Sequence, residues 1–328
     1  MKINFSTTGN RANGYGMTRD YFKKFLPKFK VELSDKPQEI SLTLNTPPGI
    51  IHAKGDVKVL YTMIEGDMVP PSWYEYLEMA DHILVPNKWV QSVFEKAGFD
   101  STPIPLGFDP ELFYPVPRNN KIYTFLHYEA FQDRKGWRDL LYAWMHSGLA
   151  ENEFECQLIL KTVKPFTEVY ERLESEHLVL PYNVRVICGE LPHESIPPLL
   201  HNADCFVFPS RGEGFSITPL EAMATGLPTI LTKGHSHMEY YNEDYMYGVK
   251  CDIPIPATYH NWEDEGNFVR CTAKDLGDTL RYVYENKEEA ILKGSDAVEY
   301  VSKYSYDKSI SKLADFLWHV QEARQQLR

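Results

Sequence analysis

The sequence predicts an α/β protein made of two domains with largely parallel sheets. Three observations support this fold class. Short apolar runs typical of strands alternate with amphipathic helical stretches along the chain. The length of 328 residues is sufficient for about two domains. The polar, proline-containing run Pro115–Asn120 separates two alternating series, and we expect it to be the linker.

The first series contains three strands and three helices by this reasoning. The predicted strands cover Lys2–Thr8, Val57–Ile64 and His82–Val85. The predicted helices cover Met17–Leu26, which Pro27 ends, Trp73–Met79, and Lys88–Ala97, which Asn87 caps and Gly98 closes.

The second series repeats the alternation. The predicted strands cover Tyr123–His127, Gln157–Lys161, Val184–Cys188, Cys205–Phe208, Thr229–Leu231 and Val249–Ile253. The predicted helices cover Trp137–His146, Thr167–Glu176, Ser195–Asn202, a short one from Thr218, Leu276–Asn286, Glu288–Val301 and Ile310–Leu327. The last helix carries an apolar stripe at helical spacing, which predicts that it is buried: Ile310, Leu313, Phe316, Leu317 and Val320.

Composition and charge exclude several classes of protein. The net charge of −12 argues against a dedicated nucleic-acid binder, which is normally basic. No stretch approaches the roughly 20 apolar residues of a membrane span, and the first residues have strand character rather than that of a signal peptide. The five cysteines are scattered without a Cys-x-x-Cys pair, which predicts free thiols in a reducing, cytoplasmic setting.

A local basic cluster stands against this acidic background. Lys23, Lys24, Lys28 and Lys30 lie at the end of the first predicted helix. Such a cluster is most often a solvated helix end, and its functional reading is contact with an anionic acceptor or surface.

The segment Arg211–Pro228 is the most informative part of the chain. Thr218 is a predicted N-cap, Pro219 then takes the first helical position, and Glu221 completes a capping box. Glu221 therefore has a structural explanation and a functional one at even odds. Glu213 lies between two glycines ahead of the helix, where it has no capping role and a ligand can approach the backbone closely.

This segment resembles the retaining GT-B glycosyltransferases of family 4. Their signature places two glutamates eight positions apart, and the matching positions are Glu213, Gly214, Phe215, Leu220, Glu221, Ala222, Met223, Ala224, Gly226 and Pro228. The resemblance implies two Rossmann-like domains facing across a cleft: a small acceptor domain of residues 1–117, onto which a C-terminal helix at 306–328 packs back, and a donor domain of residues 118–305.

The resemblance also implies roles for the donor site. Glu213 would contact the donor sugar and Glu221 the ribose of a UDP- or GDP-linked sugar. Lys135 would stabilise the diphosphate, and Arg134 or Lys161 would replace an arginine of the family pattern where Glu129 and Ala130 stand. Main-chain groups of Gly189 would line the base pocket, and those of Gly214, Phe215, Ser216, Ile217 and Thr218 would lie near the phosphates.

The acceptor side is less completely specified. The turn with Gly9, Gly14 and Gly16 is expected to face the cleft, where the resemblance places Gly14 and Gly16 near the donor or acceptor. Glu65 or Asp67 is a candidate to orient the acceptor or take its proton, although an acidic loop explains both equally well. The histidine that many relatives carry here is missing.

We expect no metal requirement, because no Asp-x-Asp occurs and the pair His235 and His237 lacks further ligands. The predicted activity is metal-independent, retaining transfer of a sugar to an unidentified hydroxyl of a glycan or other acceptor. The alternative is a lapsed enzyme of the same fold that binds nucleotide sugars or acts as a scaffold. An epimerase or phosphorylase on this fold is a third reading.

Overall fold

The chain divides into two α/β units in the computed structural model, which describes residues 1–7, 14–152, 154–257 and 265–326. Unit 1 comprises Met1–Gly107, Pro256–Asn267 and Lys303–Arg328. Unit 2 comprises Phe108–Ile255 and Phe268–Ser302.

Unit 1 is built on a parallel six-stranded sheet in the order β2-β1-β3-β4-β5-β6. The strands are β1 (Lys2–Thr7), β2 (Glu32–Ser34), β3 (Gln38–Leu44), β4 (Gly55–Tyr61), β5 (His82–Val85) and β6 (Thr102–Pro103). Its helices are α1 (Gly14–Phe25), α2 (Tyr74–Leu77), α3 (Lys88–Lys96) and α10 (Tyr306–Gln326).

Three strands of unit 1 were not predicted: β2, β3 and the two-residue β6. The first two follow each other closely. Only Asp35–Pro37 separates them, and a six-residue 3-10 helix, Pro47–His52, joins β3 to β4 where an α-helix would be usual. The prediction relied on strands alternating with α-helices, so it failed where the connections are this short.

The last helix, α10, belongs to unit 1 and packs against α1 there. The ring of Tyr306 stacks on that of Tyr21, with 4.0 Å between centroids. Arg324 forms 2.7 Å ion pairs with Glu39 and with Asp56. The predicted apolar stripe is buried except at Phe316, which is half-buried.

Unit 2 repeats the architecture with a second parallel six-stranded sheet, in the order β12-β11-β10-β7-β8-β9. Its strands are β7 (Tyr123–Tyr128), β8 (Cys156–Lys161), β9 (Val184–Ile187), β10 (Cys205–Phe208), β11 (Thr229–Lys233) and β12 (Tyr247–Lys250). Its helices are α4 (Trp137–His146), α5 (Phe166–Ser175), α6 (Ile196–His201), α7 (Thr218–Ala224), α8 (Ala273–Glu285) and α9 (Lys287–Val301).

The predicted final strand Val249–Ile253 is instead split. Its first residues end β12, and Ile253 begins β13 (Ile253–Pro256), which pairs with β14 (Asn267–Arg270) in a separate two-stranded sheet. Buried aromatic side chains fill the core of unit 2, where the indole N–H of Trp144 donates to Asn183 Oδ1 at 3.1 Å.

The predicted capping box at α7 is wrong. Thr218 is the first helical residue, and the N-cap is Ile217, whose backbone is already helical. The backbone N–H of Glu221, which a capping box would direct to Thr218, donates to the carbonyl of Ile217 at 3.0 Å, and the Thr218 hydroxyl donates to the carboxylate of Glu129 at 2.7 Å. Pro219 accordingly takes the second helical position, and Gly226 ends the helix with a φ of +73°.

Gly136 provides a test of how the loop between β7 and α4 is packed. Its φ is +72°, and a Cβ there would lie 2.1 Å from the carbonyl oxygen of Pro209. We expect Gly136→Ala to lower the free energy of unfolding by about 3 kcal/mol, since left-handed strain and a backbone clash add. The measurement is urea denaturation followed by tryptophan fluorescence.

Gly148→Ala is the matched control. Gly148 has a φ of +76°, but its added Cβ would meet only the mobile end of the Arg281 side chain, at 2.9 Å. We expect a loss of about 1 kcal/mol from strain alone. Equal losses in the two variants would contradict the proposed clash at Gly136.

Candidate functional site

The candidate site of unit 2 forms where two neighbouring strands end. β7 and β10 are adjacent and parallel, so their carboxyl ends share one edge of the sheet. Glu129, Arg134 and Lys135 follow β7, and Ser210 and Glu213 follow β10. The five side chains meet in one buried cluster, called the ion cluster below.

Glu213 is the centre of the ion cluster. Its carboxylate lies 2.8 Å from Lys135 Nζ and 2.9 Å from Arg134 Nη1, and it accepts a hydrogen bond from Ser210. Only 5% of the residue is exposed. Burial by itself would raise the pKa of Glu213, but the two cations outweigh burial and hold that pKa well below its usual value.

Lys135 joins this carboxylate to a second one. Its ammonium lies 2.9 Å from Glu129, whose other oxygen accepts from Thr218. Burial acts to lower the pKa of Lys135, yet the charges of Glu129 and Glu213 outweigh it, so the pKa is raised. The lysine is therefore a fixed cation.

Arg134 lies in the ion cluster, whereas Lys161 has a different setting. Arg134 Nη1 donates to the carbonyl of Gly212 as well as to Glu213, so it holds the loop and the carboxylate together. The Lys161 ammonium donates to the carbonyls of Thr162, at 2.7 Å, and Gly189. These two hydrogen bonds connect Lys161 to the turn at Gly189. Burial lowers the pKa of Lys161.

Glu221 is buried and pairs with a histidine that the sequence did not single out. His193 Nε2 lies 3.0 Å from a Glu221 oxygen, and the imidazole packs edge-on against Phe113. Burial acts to lower the pKa of His193, but the bond and charge of Glu221 outweigh it and raise that pKa. Glu221 is thus held at the start of α7 by a side chain from the neighbouring loop.

The loop Gly214–Ile217 is held in a strained conformation. Ser216 has a φ of +71°, a region that side chains other than glycine rarely adopt. His237 Nδ1 lies 2.9 Å from the carbonyl of Thr232, and a carbonyl only accepts, so Nδ1 carries the proton. Burial lowers the pKa of His237 to about 4. Its Nε2 then accepts from the Ser216 hydroxyl at 3.3 Å.

The structure places the remaining candidates in unit 1. Gly14 begins α1 and Gly16 is buried within it, while Gly9 lies outside the described residues. Asp67 is exposed and accepts the backbone N–H of Asn267 at 2.6 Å, whereas Glu65 is half-buried.

The four lysines of the basic cluster are exposed. Two of them, Lys24 and Lys28, lie over the ring of Phe25 at 5.1 and 4.3 Å. Within the described part of the chain, no group of three or more His, Cys, Asp or Glu side chains is placed to hold a metal ion. No helix in the same part is long and apolar enough to span a membrane.

Sequence reasoning missed the contacts that Glu129 and His193 make at this edge of the sheet. Glu129 could have been found from its place at the carboxyl end of a parallel strand. His193 carried no sequence signal of its own, because it reaches Glu221 from a separate loop. His237 was noted with His235 as an incomplete metal pair, and its contact with Ser216 was not predicted.

Comparison with known proteins adds independent findings. The family model described as Glycosyl transferases group 1 matches residues 110–290. The lipopolysaccharide core biosynthesis mannosyltransferase LpsB of Rhizobium meliloti is 55% identical over 40 residues, 12% of this chain and 11% of that protein. The mannosylfructose-phosphate synthase of Agrobacterium fabrum is 32% identical over 145 residues, 39% of this chain and 32% of that protein. The matched parts of the chain thus span a third or less of these curated relatives.

Solved structures match over nearly the whole chain. Anabaena Alr3699/HepE in complex with UDP-glucose has a TM-score of 0.72 at 16% identity, covering 97% of this chain and 100% of that one. WaaG, a glycosyltransferase involved in lipopolysaccharide biosynthesis, has a TM-score of 0.66 at 14% identity, covering 96% and 99%. The predicted GT-B fold class is confirmed by these matches and by the two parallel six-stranded sheets.

The buried carboxylate of Glu213 predicts a pH-dependent contribution to stability. Glu213→Gln leaves two buried cations with less countercharge, so we expect a loss of about 3–5 kcal/mol at pH 7. The pKa of Glu213 in the folded protein lies below the usual value of 4.5, so its ionised carboxylate stabilises the fold fully at pH values above 4.5. This contribution is lost as the pH falls from 4.5 towards the pKa in the folded protein. The gap between wild type and variant should therefore narrow below about pH 4.5.

Denaturant unfolding between pH 3.5 and 8 measures this gap. Glu171→Gln, at an exposed position on α5, controls for the loss of one charge and should match wild type throughout. A gap for Glu213→Gln that stays constant over this range would contradict the electrostatic account.

Proposed function

Because the chain belongs to the group 1 glycosyl transferase family, we propose that it moves a sugar from a nucleotide-sugar donor to an acceptor hydroxyl, with retention of configuration and without a metal. The observation that carries this proposal is the ion cluster of Glu213, Arg134 and Lys135 at the carboxyl edge of the unit 2 sheet. Parallel α/β sheets bind ligands at this edge.

The donor diphosphate is assigned to Lys135. The lysine is buried and charged, so its attraction for the leaving group is not screened by solvent. As the glycosidic bond breaks, negative charge grows on the leaving phosphate, and a fixed ammonium stabilises that charge without reorganising. Arg134 keeps Glu213 and its loop in place during this step.

The two glutamates are assigned to the hydroxyls of the donor. Glu213 accepts hydrogen bonds from the sugar, and its strongly depressed pKa keeps it ionised for that role. Glu221 accepts from the vicinal hydroxyls of the ribose, while His193 fixes its orientation. UDP is the preferred nucleotide of this proposal, because the HepE structure contains UDP-glucose, and GDP is the alternative.

The acceptor is assigned to unit 1, with Glu65 or Asp67 as the side chain that orients its hydroxyl. In the proposed front-face reaction the acceptor proton passes to an oxygen of the leaving phosphate. The four exposed lysines at the end of α1 are proposed to meet an anionic acceptor or surface. The free thiols of all five cysteines favour a reducing, cytoplasmic location.

One observation favours the lapsed enzyme as a second candidate. Lys135 is already shared by two carboxylates, so the net charge of Glu129, Glu213, Arg134 and Lys135 is zero. A protein that binds nucleotide sugars without transferring them would fit such a weakened anion site. Turnover separates the two candidates.

Turnover of labelled UDP- and GDP-sugars with a panel of glycoside and lipid-linked acceptors tests the enzyme. We expect Lys135→Ala and Glu213→Gln each to lower kcat/KM by about 10²–10³-fold, since each removes a fixed group facing the developing charge or the sugar. Lys274→Ala, at an exposed lysine of α8 paired with Asp278, is the control and should keep full activity.

Wild-type transfer by both site variants would contradict the assignment, and donor binding without transfer to any acceptor would favour the second candidate. Activity should persist in EDTA. The anomeric proton coupling of the product in NMR spectra reports whether configuration is retained.

The ribose assignment of Glu221 is tested separately, by calorimetry with UDP and 2′-deoxy-UDP. We expect wild type to prefer UDP by about tenfold, because the deoxy ligand leaves the buried carboxylate of Glu221 one donor short. Glu221→Gln should bring the ratio of the two Kd values close to one. Glu194→Gln changes an exposed neighbour of His193 and should keep the wild-type ratio. An unchanged ratio in Glu221→Gln would remove this residue from the ribose site.

A further inference from the structure

Glu129 is a carboxylate in a place where the proposed function requires a phosphate. One of its oxygens lies 2.9 Å from Lys135 Nζ and the other accepts from the Thr218 hydroxyl at 2.7 Å. The proposed function assigns Lys135 to the diphosphate, and the family resemblance places the main chain at Thr218 near the phosphates. The side chain therefore bridges them as two oxygens of a phosphate would.

A phosphate that reaches Lys135 must either share the ammonium with Glu129 and Glu213 or replace one of these two carboxylates. Glu213 is held by Arg134 and Ser210 in addition to Lys135. Among the residues that the structure describes, the Glu129 carboxylate is held only by Thr218 besides the lysine. Because it has fewer bonds to lose, Glu129 is the group that a phosphate displaces.

The displaced carboxylate cannot move far from the bound ligand. The backbone N–H of Glu129 donates to the carbonyl of Lys161 at 3.1 Å, directly after β7. The main chain is thus fixed by the sheet, and only the side chain can turn away. A negative charge remains close to the phosphates in the bound state, where burial limits screening.

We propose that Glu129 discriminates between the nucleotide-sugar donor and the nucleoside diphosphate product. This inference rests on the proposed function. Both phosphates of the donor are esterified, so its diphosphate carries about two charges, whereas the free terminal phosphate of the product ionises again near pH 6. The repulsion from Glu129 therefore grows from donor to product, which favours donor binding and product release.

Calorimetry at pH 7.5 with UDP and UDP-glucose, and with GDP and GDP-mannose, tests the inference on the full chain. Glu129→Gln keeps the shape and an acceptor for Thr218 but removes the charge. We expect the Kd of the diphosphate to fall about tenfold and that of the nucleotide sugar about threefold or less. Glu129→Ala is a second neutral variant, and Glu171→Gln controls for net charge at an exposed site.

Each outcome bears on the inference. A change in the ratio of the two Kd values in favour of the diphosphate, or binding by the neutral variants alone, supports it. Equal changes for both ligands, no change, or weaker binding in both neutral variants overturns it while leaving the proposed function intact. If none of the four ligands binds wild type or variants, the proposed donor site and this inference both fail.

Discussion

The burial of Glu213 between Arg134 and Lys135 is the interaction on which the rest of the site depends. A carboxylate at 5% exposure is tolerated only because two cations lie within 3 Å of it. Each cation is in turn tied to the chain around it. Arg134 holds the carbonyl of Gly212, and Lys135 is followed by Gly136, whose left-handed backbone packs against Pro209. The ion pairs therefore hold the two loops in their conformations, and those conformations in turn keep the charged side chains in contact.

This mutual dependence explains why the site lies at the ends of two strands rather than on a helix. β7 and β10 are adjacent but are separated by almost 80 residues in the sequence. The sheet brings their loops together, and the ion cluster then closes the loops on each other. The helix α7 adds to this edge of the sheet Thr218, whose hydroxyl donates to Glu129, and the buried Glu221.

Sequence patterns predicted the regular elements of unit 2 well, because α/β alternation is explicit there. The bounds of β10 and α4 agree with the prediction to the residue, as do those of β5 in unit 1. The patterns failed at β2 and β3, where no α-helix marks the interval. They also gave Thr218 a capping role, because capping rules see only neighbours in sequence, whereas its partner Glu129 lies 89 residues away. The family motif indicated Glu213, Lys135 and Glu221 as candidates, but the partners that hold them come from distant loops.

At Ser216, in the loop that follows Glu213, backbone strain is balanced against a side-chain hydrogen bond. A glycine would adopt a φ of +71° without the roughly 1–2 kcal/mol that a side chain costs there. Glycine, however, has no hydroxyl to donate to His237, so the loop would lose this anchor, while the Tyr240 hydroxyl would still donate to the carbonyl of residue 216. The serine thus represents a compromise in which folding free energy is given up for a defined loop geometry. Substitutions selected only for thermal stability would be drawn to this position, and they would loosen the part of the chain that separates Glu213 from Glu221.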